Sequence, residues 1–193
     1  ISNLSLNIDL TQKVKEIEEF LQSINQSPAS NLFRLPSFCA GCPHNTSTKV
    51  PEDSFAFGGI GCHGMATFMP ERHTYNLGQM GGEGVMWTGI APFTETEHIF
   101  QNLGDGTYYH SGILALRSAV ASGANITYKI LVNDAIAMTG GQEITGKVRI
   151  DDLTWQVHAE GAKKVVVVTD YPDKYPKNAS FAPGVEVFQR DKL

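Results

Sequence analysis

Between residues 9 and 26 apolar positions recur at the helical period, and Val14, Ile17, Phe20, Leu21 and Ile24 form one stripe. Asp9 or Thr11 is placed to cap this helix. The proline-bounded stretch 28–36 then reads as a linker. The chain is therefore expected to hold an N-terminal helix and linker over 1–35 and one domain over 36–193. From residue 54 the pattern changes. Phe55-Ala56-Phe57 is a short apolar run that ends in glycine, and 58–92 is glycine-rich with little periodicity. A loop region of that length inside a compact domain signals function. His98–Leu103 reads as a strand running directly into Gly104-Asp105-Gly106. Ser111–Ser122 reads as a helix, with Ile113, Leu114, Leu116, Ala119 and Val120 apolar and Gly123 at its end. Tyr128–Val132 reads as a buried strand that ends in Asn133-Asp134. Asp152 is expected to cap a helix reaching about Glu160, with Gly161 ending it. Val165–Val168 suits a fully buried parallel strand, and Gly184–Gln189 a last short one. Strands alternating with helices predict an α/β domain, three layers deep, around a mainly parallel sheet.

Composition removes some functions. The 193 residues suffice for one well-cored domain with extensions. A net charge of −5 offers no basic field for nucleic acid. No apolar run reaches the ~18 residues of a membrane span, and the start ISNLSLNIDLTQ lacks the regions of a secretion signal. Neither nucleic acid nor membrane is an expected partner. The 3 cysteines are an odd number with two at C-x-x-C spacing, which argues for a reducing, cytoplasmic setting.

Ligands of parallel sheets bind beyond the carboxyl ends of the strands. Two successive strands here end in Gly104-Asp105-Gly106 and in Asn133, and the helix between them makes parallel pairing plausible. Asp105 and Asn133 then project from one rim. A carboxylate, an amide oxygen and a backbone carbonyl suit a hard octahedral cation such as Mg²⁺. The flanking glycines allow a diphosphate to approach the main chain, and the following helix adds its N-terminal dipole. A plainer reading stands beside this one, in which Asp105 only caps a helix within a glycine turn.

Cys39-x-x-Cys42 and Cys62 form a three-thiolate set. Structural zinc, an iron–sulfur cluster and a thioredoxin-like pair all accept C-x-x-C. His44 and His63 stand beside these cysteines either as ligands or as local hydrogen-bonding groups. His110 faces either the cofactor or only the strand rim. Gly59, Gly61 and Gly64 in GGIGCHG match G-x-G-x-x-G, but Pro70 cuts any following helix short, so the dinucleotide reading fails. The glycines are assigned instead to letting Cys62 reach back to Cys39 and Cys42. Phe55, Phe57, Trp87 and Phe93 are expected in a core or interface.

The stretch GDGTYYHSGILALRSAVASGANITYKILVND resembles the Gly-Asp-Gly…Asn motif of thiamine diphosphate enzymes, and AIAMTGGQ resembles its continuation in 2-oxoacid:ferredoxin oxidoreductases. With FCAGCPHNTSTKVP, GGIGCHGMA and QMGGEGV, the chain resembles the long-chain indolepyruvate ferredoxin oxidoreductase family over about residues 35–190. The resemblance implies a thiamine diphosphate-binding fold of the diphosphate type. It implies Asp105 and Asn133 as Mg²⁺ ligands, with Ala135 giving a backbone carbonyl and Gly104 and Gly106 beside the diphosphate. Cys62 and His63 then lie on a loop near the cofactor, Gly81, Gly82 and Glu83 near the thiazolium, and Thr139 to Gln142 on a loop closing over the diphosphate. Cys39, Cys42 and Cys62 would hold a 4Fe–4S cluster whose fourth ligand lies beyond Leu193, which makes the chain a fragment of a larger polypeptide.

The implied reaction is oxidative decarboxylation of a 2-oxo acid with coenzyme A, electrons passing through iron–sulfur centres to ferredoxin. The glutamate that such enzymes need belongs to a pyrimidine-binding domain not recognisable here. No catalytic residue is assigned to this chain, which is expected to be inactive alone and to face a partner copy in a homodimer. A non-catalytic metal-binding module and a non-oxidative thiamine diphosphate decarboxylase are the alternatives.

Overall fold

The computed structural model describes residues 10–26, 35–176 and 178–193. The chain divides into two compact units, 1–35 and 36–193. In the first, helix α1 (Leu10–Gln26) follows the apolar stripe, and Val14, Ile17, Phe20 and Leu21 are all exposed. Thr11 is the second residue of this helix rather than its cap. Asp9 and most of the linker lie outside the described residues.

In the second unit, the short helix α2 (His44–Ser47) is followed by β1 (Ala56–Gly58). After them come β2 (Thr74–Leu77), helix α3 (Val85–Ile90), β3 (Ile99–Gly104) and, further along, β4 (Ile126–Leu131). The four strands form one sheet in the order β2-β1-β3-β4, and every pair is parallel. β3 and β4 pair from Ile99↔Ile126 to Gly104↔Leu131, so their carboxyl ends finish on one level. Strand β2 lies inside the stretch read as loop. Its burial pattern is one buried residue followed by three exposed ones, so no alternation marks it, and main-chain pairing with β1 alone defines it.

Strand side chains alternate between faces. On one face Ile99 and Leu103 point to the helices. Leu103 packs with Tyr108, Leu116, Leu153 and Val157, and Ile99 with Phe57 and Trp87. Each such buried side chain contributes about 1.5–3 kcal/mol. Phe57 and Trp87 are thus core, whereas Phe55 is partly exposed and Phe93 is 88% exposed. The other face carries Phe100, Asn102 and Gly104, and Gly104 there lies against the His63 ring.

The helix expected from Ser111 begins six residues earlier. Gly104 is the last residue of β3, and α4 (Asp105–Thr107) starts at once. A π-helical turn over Tyr108–Gly112 joins it to α5 (Ile113–Ser122), which Gly123 ends at φ 72°. Glycines 106 and 112 lower the helical signal, and the π turn shifts the period, so sequence periodicity registers only the later part. A two-stranded hairpin, β5 (Ala135–Ile136) and β6 (Gln142–Glu143), follows β4. Helix α6 (Ile150–Ala159) has Arg149, not Asp152, at its N-cap position; Asp151 and Asp152 lie in its first turn, where negative charge suits the dipole. The valine run forms β7 (Val166–Thr169), paired in parallel with β8 (Glu186–Gln189) in a separate sheet. Val166 is 44% exposed, so β7 is not the fully buried strand its composition suggests.

Candidate functional site

Asp105 stands where β3 turns into α4, and it is buried. Its Oδ1 accepts the Gly106 N–H at 2.8 Å, and its Oδ2 accepts the N–H groups of Asn133 and Asp134, both at 2.8 Å. A left-handed φ of 61° at Asp134 turns the chain at this point. The Asn133 side chain accepts the Ala135 N–H through Oδ1 at 3.1 Å. Three amides therefore fix one carboxylate. Among the described residues no cation lies within ion-pair distance of it.

The cleft beside Asp105 has a volume of about 180 Å³. Gly104, Asp105, Gly106, Asn133, Ala135 and Thr139 line it, as do Cys62, His63, His44 and His110. Ile60, Met80, Ile136 and Met138 add apolar walls that the sequence reading did not single out. Ile60 and Met80 gave a weak signal, because each is a lone apolar residue in a glycine-rich loop, whereas Ile136 and Met138 belong to the short apolar run 135–138.

Gly82 and Glu83 are not among the lining residues; Met80 of the same loop is. Glu83 is 1% exposed and turned to the main chain, accepting Gly81 N–H at 2.7 Å and Ile60 N–H at 3.5 Å. It ties the loop around residue 81 to the loop around residue 60.

Two glycines of GGIGCHG, Gly59 and Gly61, make a bed for the His63 ring together with Gly104, whereas Gly58 and Gly64 meet Leu77 and other neighbours. A Cβ on Gly59 would stand 2.4 Å from Asn102 O and 2.8 Å from His63 Nε2. One on Gly61 would stand 2.6 Å from His63 Cε1, and one on Gly104 3.1 Å from the same atom. The His63 ring meets His44 edge-on, with centroids 5.9 Å apart. Burial, and secondarily His44, pushes the His63 pKa down to about 4, so the ring is neutral at physiological pH. Burial also lowers His44, partly offset by the Asp105 charge. The Nε2 atom of His63 and both polar side-chain atoms of Asn102 are buried without a hydrogen-bond partner.

Cys39 is exposed, and Cys42 and Cys62 are half-buried free thiols. Burial raises the Cys62 pKa, and the neighbouring Cys42 and Cys39 raise it further. The thiols thus sense one another, yet among the described residues no three or more His, Cys, Asp or Glu side chains gather at metal-ligating positions. The donor chemistry suits a metal–sulfur centre while the three sulfurs are not drawn together. Among the described residues no helix is long and apolar enough to cross a membrane.

A parallel sheet with a fixed carboxylate at a glycine-flanked strand end defines an α/β domain with a cleft at the carboxyl ends of its strands. The family described as "Thiamine pyrophosphate enzyme, C-terminal TPP binding domain" matches residues 59–178, more than half of the chain. The chain belongs to that family, as a thiamine diphosphate-binding domain. It is similar to a protein of Thermococcus kodakarensis named "Indolepyruvate oxidoreductase subunit IorA", 28% identical over 203 residues, covering 88% of this chain and 30% of that protein. Proteins of the same name are similar in Archaeoglobus fulgidus, at 31% identity over 72% of this chain and 24% of that protein, and in Methanothermobacter thermautotrophicus, at 32% over 58% and 20%. The chain spans less than a third of the length of these curated relatives.

Proposed function

We propose that this chain is the diphosphate- and Mg²⁺-binding domain of a thiamine diphosphate-dependent 2-oxoacid oxidoreductase of the indolepyruvate type. The supporting observation is the buried Asp105 carboxylate, held by three amides and left without a cation among the described residues. A fixed, uncompensated carboxylate beside a cleft fits a hard cation. Asp105, the Asn133 side chain and the Ala135 carbonyl would hold Mg²⁺, and Gly104 and Gly106 leave space for the diphosphate. Thr139 lies on the loop over it.

Thiamine diphosphate, when bound, supplies the electron sink for decarboxylating a 2-oxo acid. This chain's own residues bind and orient. Glu83 braces the two loops that present Ile60 and Met80 to the cleft. Neutral His63 and His44 form part of its lining. The cleft of about 180 Å³ is smaller than the ~300 Å³ or more of a pocket for a whole ligand. That size supports a half-site completed by a pyrimidine-binding domain, within a homodimer. The catalytic glutamate belongs to that domain in this reading.

The thiols Cys39, Cys42 and Cys62 are the donors this chain offers to a 4Fe–4S cluster, which would pass electrons to ferredoxin, with coenzyme A taking the acyl group. Free thiols also support a cytoplasmic setting. The test is calorimetry of thiamine diphosphate binding to the full-length enzyme with Mg²⁺. Loss of binding in Asp105→Ala is expected, and undiminished binding refutes the reading. An iron and sulfide assay on anaerobically prepared protein tests the cluster separately, and stoichiometric zinc without sulfide would overturn it.

A further inference from the structure

The cysteine-bearing loop is gripped by two long cationic side chains from opposite edges of the four-stranded sheet. Arg72 precedes edge strand β2, and Lys129 lies on edge strand β4. Arg72 is buried, and its Nη1 donates to Asn45 O at 2.7 Å. Lys129 Nζ donates to Ser47 O at 3.1 Å and to Lys49 O, with the Phe100 ring centroid 4.9 Å away. These three carbonyls belong to α2 and the two residues beyond it, where helix carbonyls lack helical partners. Asn45 extends the grip, because its Nδ2 donates to both Cys39 O and Cys42 O at 3.2 Å. One chain of hydrogen bonds thus runs from Arg72 through Asn45 to the turn that carries the first two thiols.

A local capping role alone does not account for Lys129. Capping calls for a nearby polar group, not a lysine 80 residues further along the chain. Among the described residues, no carboxylate lies within ion-pair distance of Lys129, so its half-buried charge is not there to make a salt bridge. Its contacts serve to hold the loop.

We propose that Arg72 and Lys129 are positioning residues that fix where the Cys39–Cys42 turn stands over the sheet, with Asn45 as the link. The proposal rests on the reading of Cys39, Cys42 and Cys62 as one thiolate site. It goes beyond that reading by naming what holds two of the thiols in place before any metal arrives.

The test uses the full-length enzyme after chelation, in wild-type form and as Lys129→Met, Lys129→Arg and Asn45→Ala. Two rates are read: amide hydrogen exchange across residues 39–49, and alkylation of Cys39 and Cys42. Lys129→Met is expected to raise exchange over 39–49 at least tenfold while the amides of α5 keep their rates. Lys129→Arg should stay within about twofold of wild type. Asn45→Ala should speed alkylation of both thiols without altering α5. Should Lys129→Met also release α5, the variant has unfolded, and Asn45→Ala alone decides. Unchanged rates at 39–49 in the folded variants overturn the proposal. Iron and sulfide are measured on the untreated wild type in parallel. Their absence refutes the cluster and leaves the exchange data to decide the positioning role.

Discussion

Asp105 and Asn133 are joined through the main chain: Oδ2 of the first accepts the N–H of the second at 2.8 Å, across 28 positions of sequence. The two proposed cation ligands are therefore not independent. The carboxylate that would face the cation also sets the turn that presents the amide. Asp105→Ala removes the acceptor of three amides and should cost about 2–4 kcal/mol in stability. It should also weaken Mg²⁺-dependent thiamine diphosphate binding at least a hundredfold. Denaturation and calorimetry on the full-length protein measure the two effects.

The bed under His63 predicts a contrast between two glycines. Gly59→Ala brings a methyl against the Asn102 carbonyl and His63 Nε2, and should destabilise by about 2–4 kcal/mol. Gly89→Ala, in α3 with nothing within 4 Å, should stabilise by about 0.5–1 kcal/mol. Thermal melts of the pair decide. Equal shifts would show that the packing against His63 does not limit Gly59.

Glu83 provides a third case. Glu83→Ala leaves the Gly81 and Ile60 amides without their acceptor and should cost about 1–3 kcal/mol. Because the cleft residues Met80 and Ile60 sit on those loops, the variant should raise the thiamine diphosphate concentration needed for half-saturation while Glu83→Gln keeps it near wild type. Identical saturation curves for Ala and Gln would contradict the bracing role.

Burial pushes the Lys129 ammonium down to about 8, against about 10.4 in an unfolded chain. Between those values the unfolded state holds a proton that the folded state has released, so stability rises with pH across that window. Allowing for residual solvent screening, the rise attributable to Lys129 is about 1–2 kcal/mol. Urea denaturation of wild type and Lys129→Met from pH 7.5 to 10.5 should show the difference climbing in favour of wild type. A flat difference would mean that Lys129 titrates normally.

Much of this fold is legible because its main signals are local. The strand ending in Gly104-Asp105-Gly106, the existence of β4 (though as a half-buried edge strand, not the buried one expected) and the Gly123 stop each follow from a few adjacent residues. The cleft rim followed as well, since strand ends and their parallel pairing put Asp105 and Asn133 together. What escaped has non-local causes. β2 exists through main-chain pairing with β1, with no side-chain alternation to announce it. Glu83, which the resemblance puts near the thiazolium, has backbone amides of two loops as hydrogen-bond partners, and no local pattern announces them. The packing of Gly59 and Gly61 against the His63 ring escaped as well, because the cysteine is the conspicuous residue of GGIGCHG. Lys129 gave no sign at all, since its acceptors lie about 80 residues earlier in the chain.

The π turn at Tyr108–Gly112 separates two demands on one continuous helix. Upstream, the backbone must follow Asp105 and the cleft; downstream, it must turn Leu116 and Ala119 into the core. A widened turn shifts the angular phase between these halves, so neither dictates the other's orientation. Substitutions that reshape the cleft end need not propagate into core packing. Shortening the turn by one residue, in contrast, would rotate one half by about 100° and set the two in conflict.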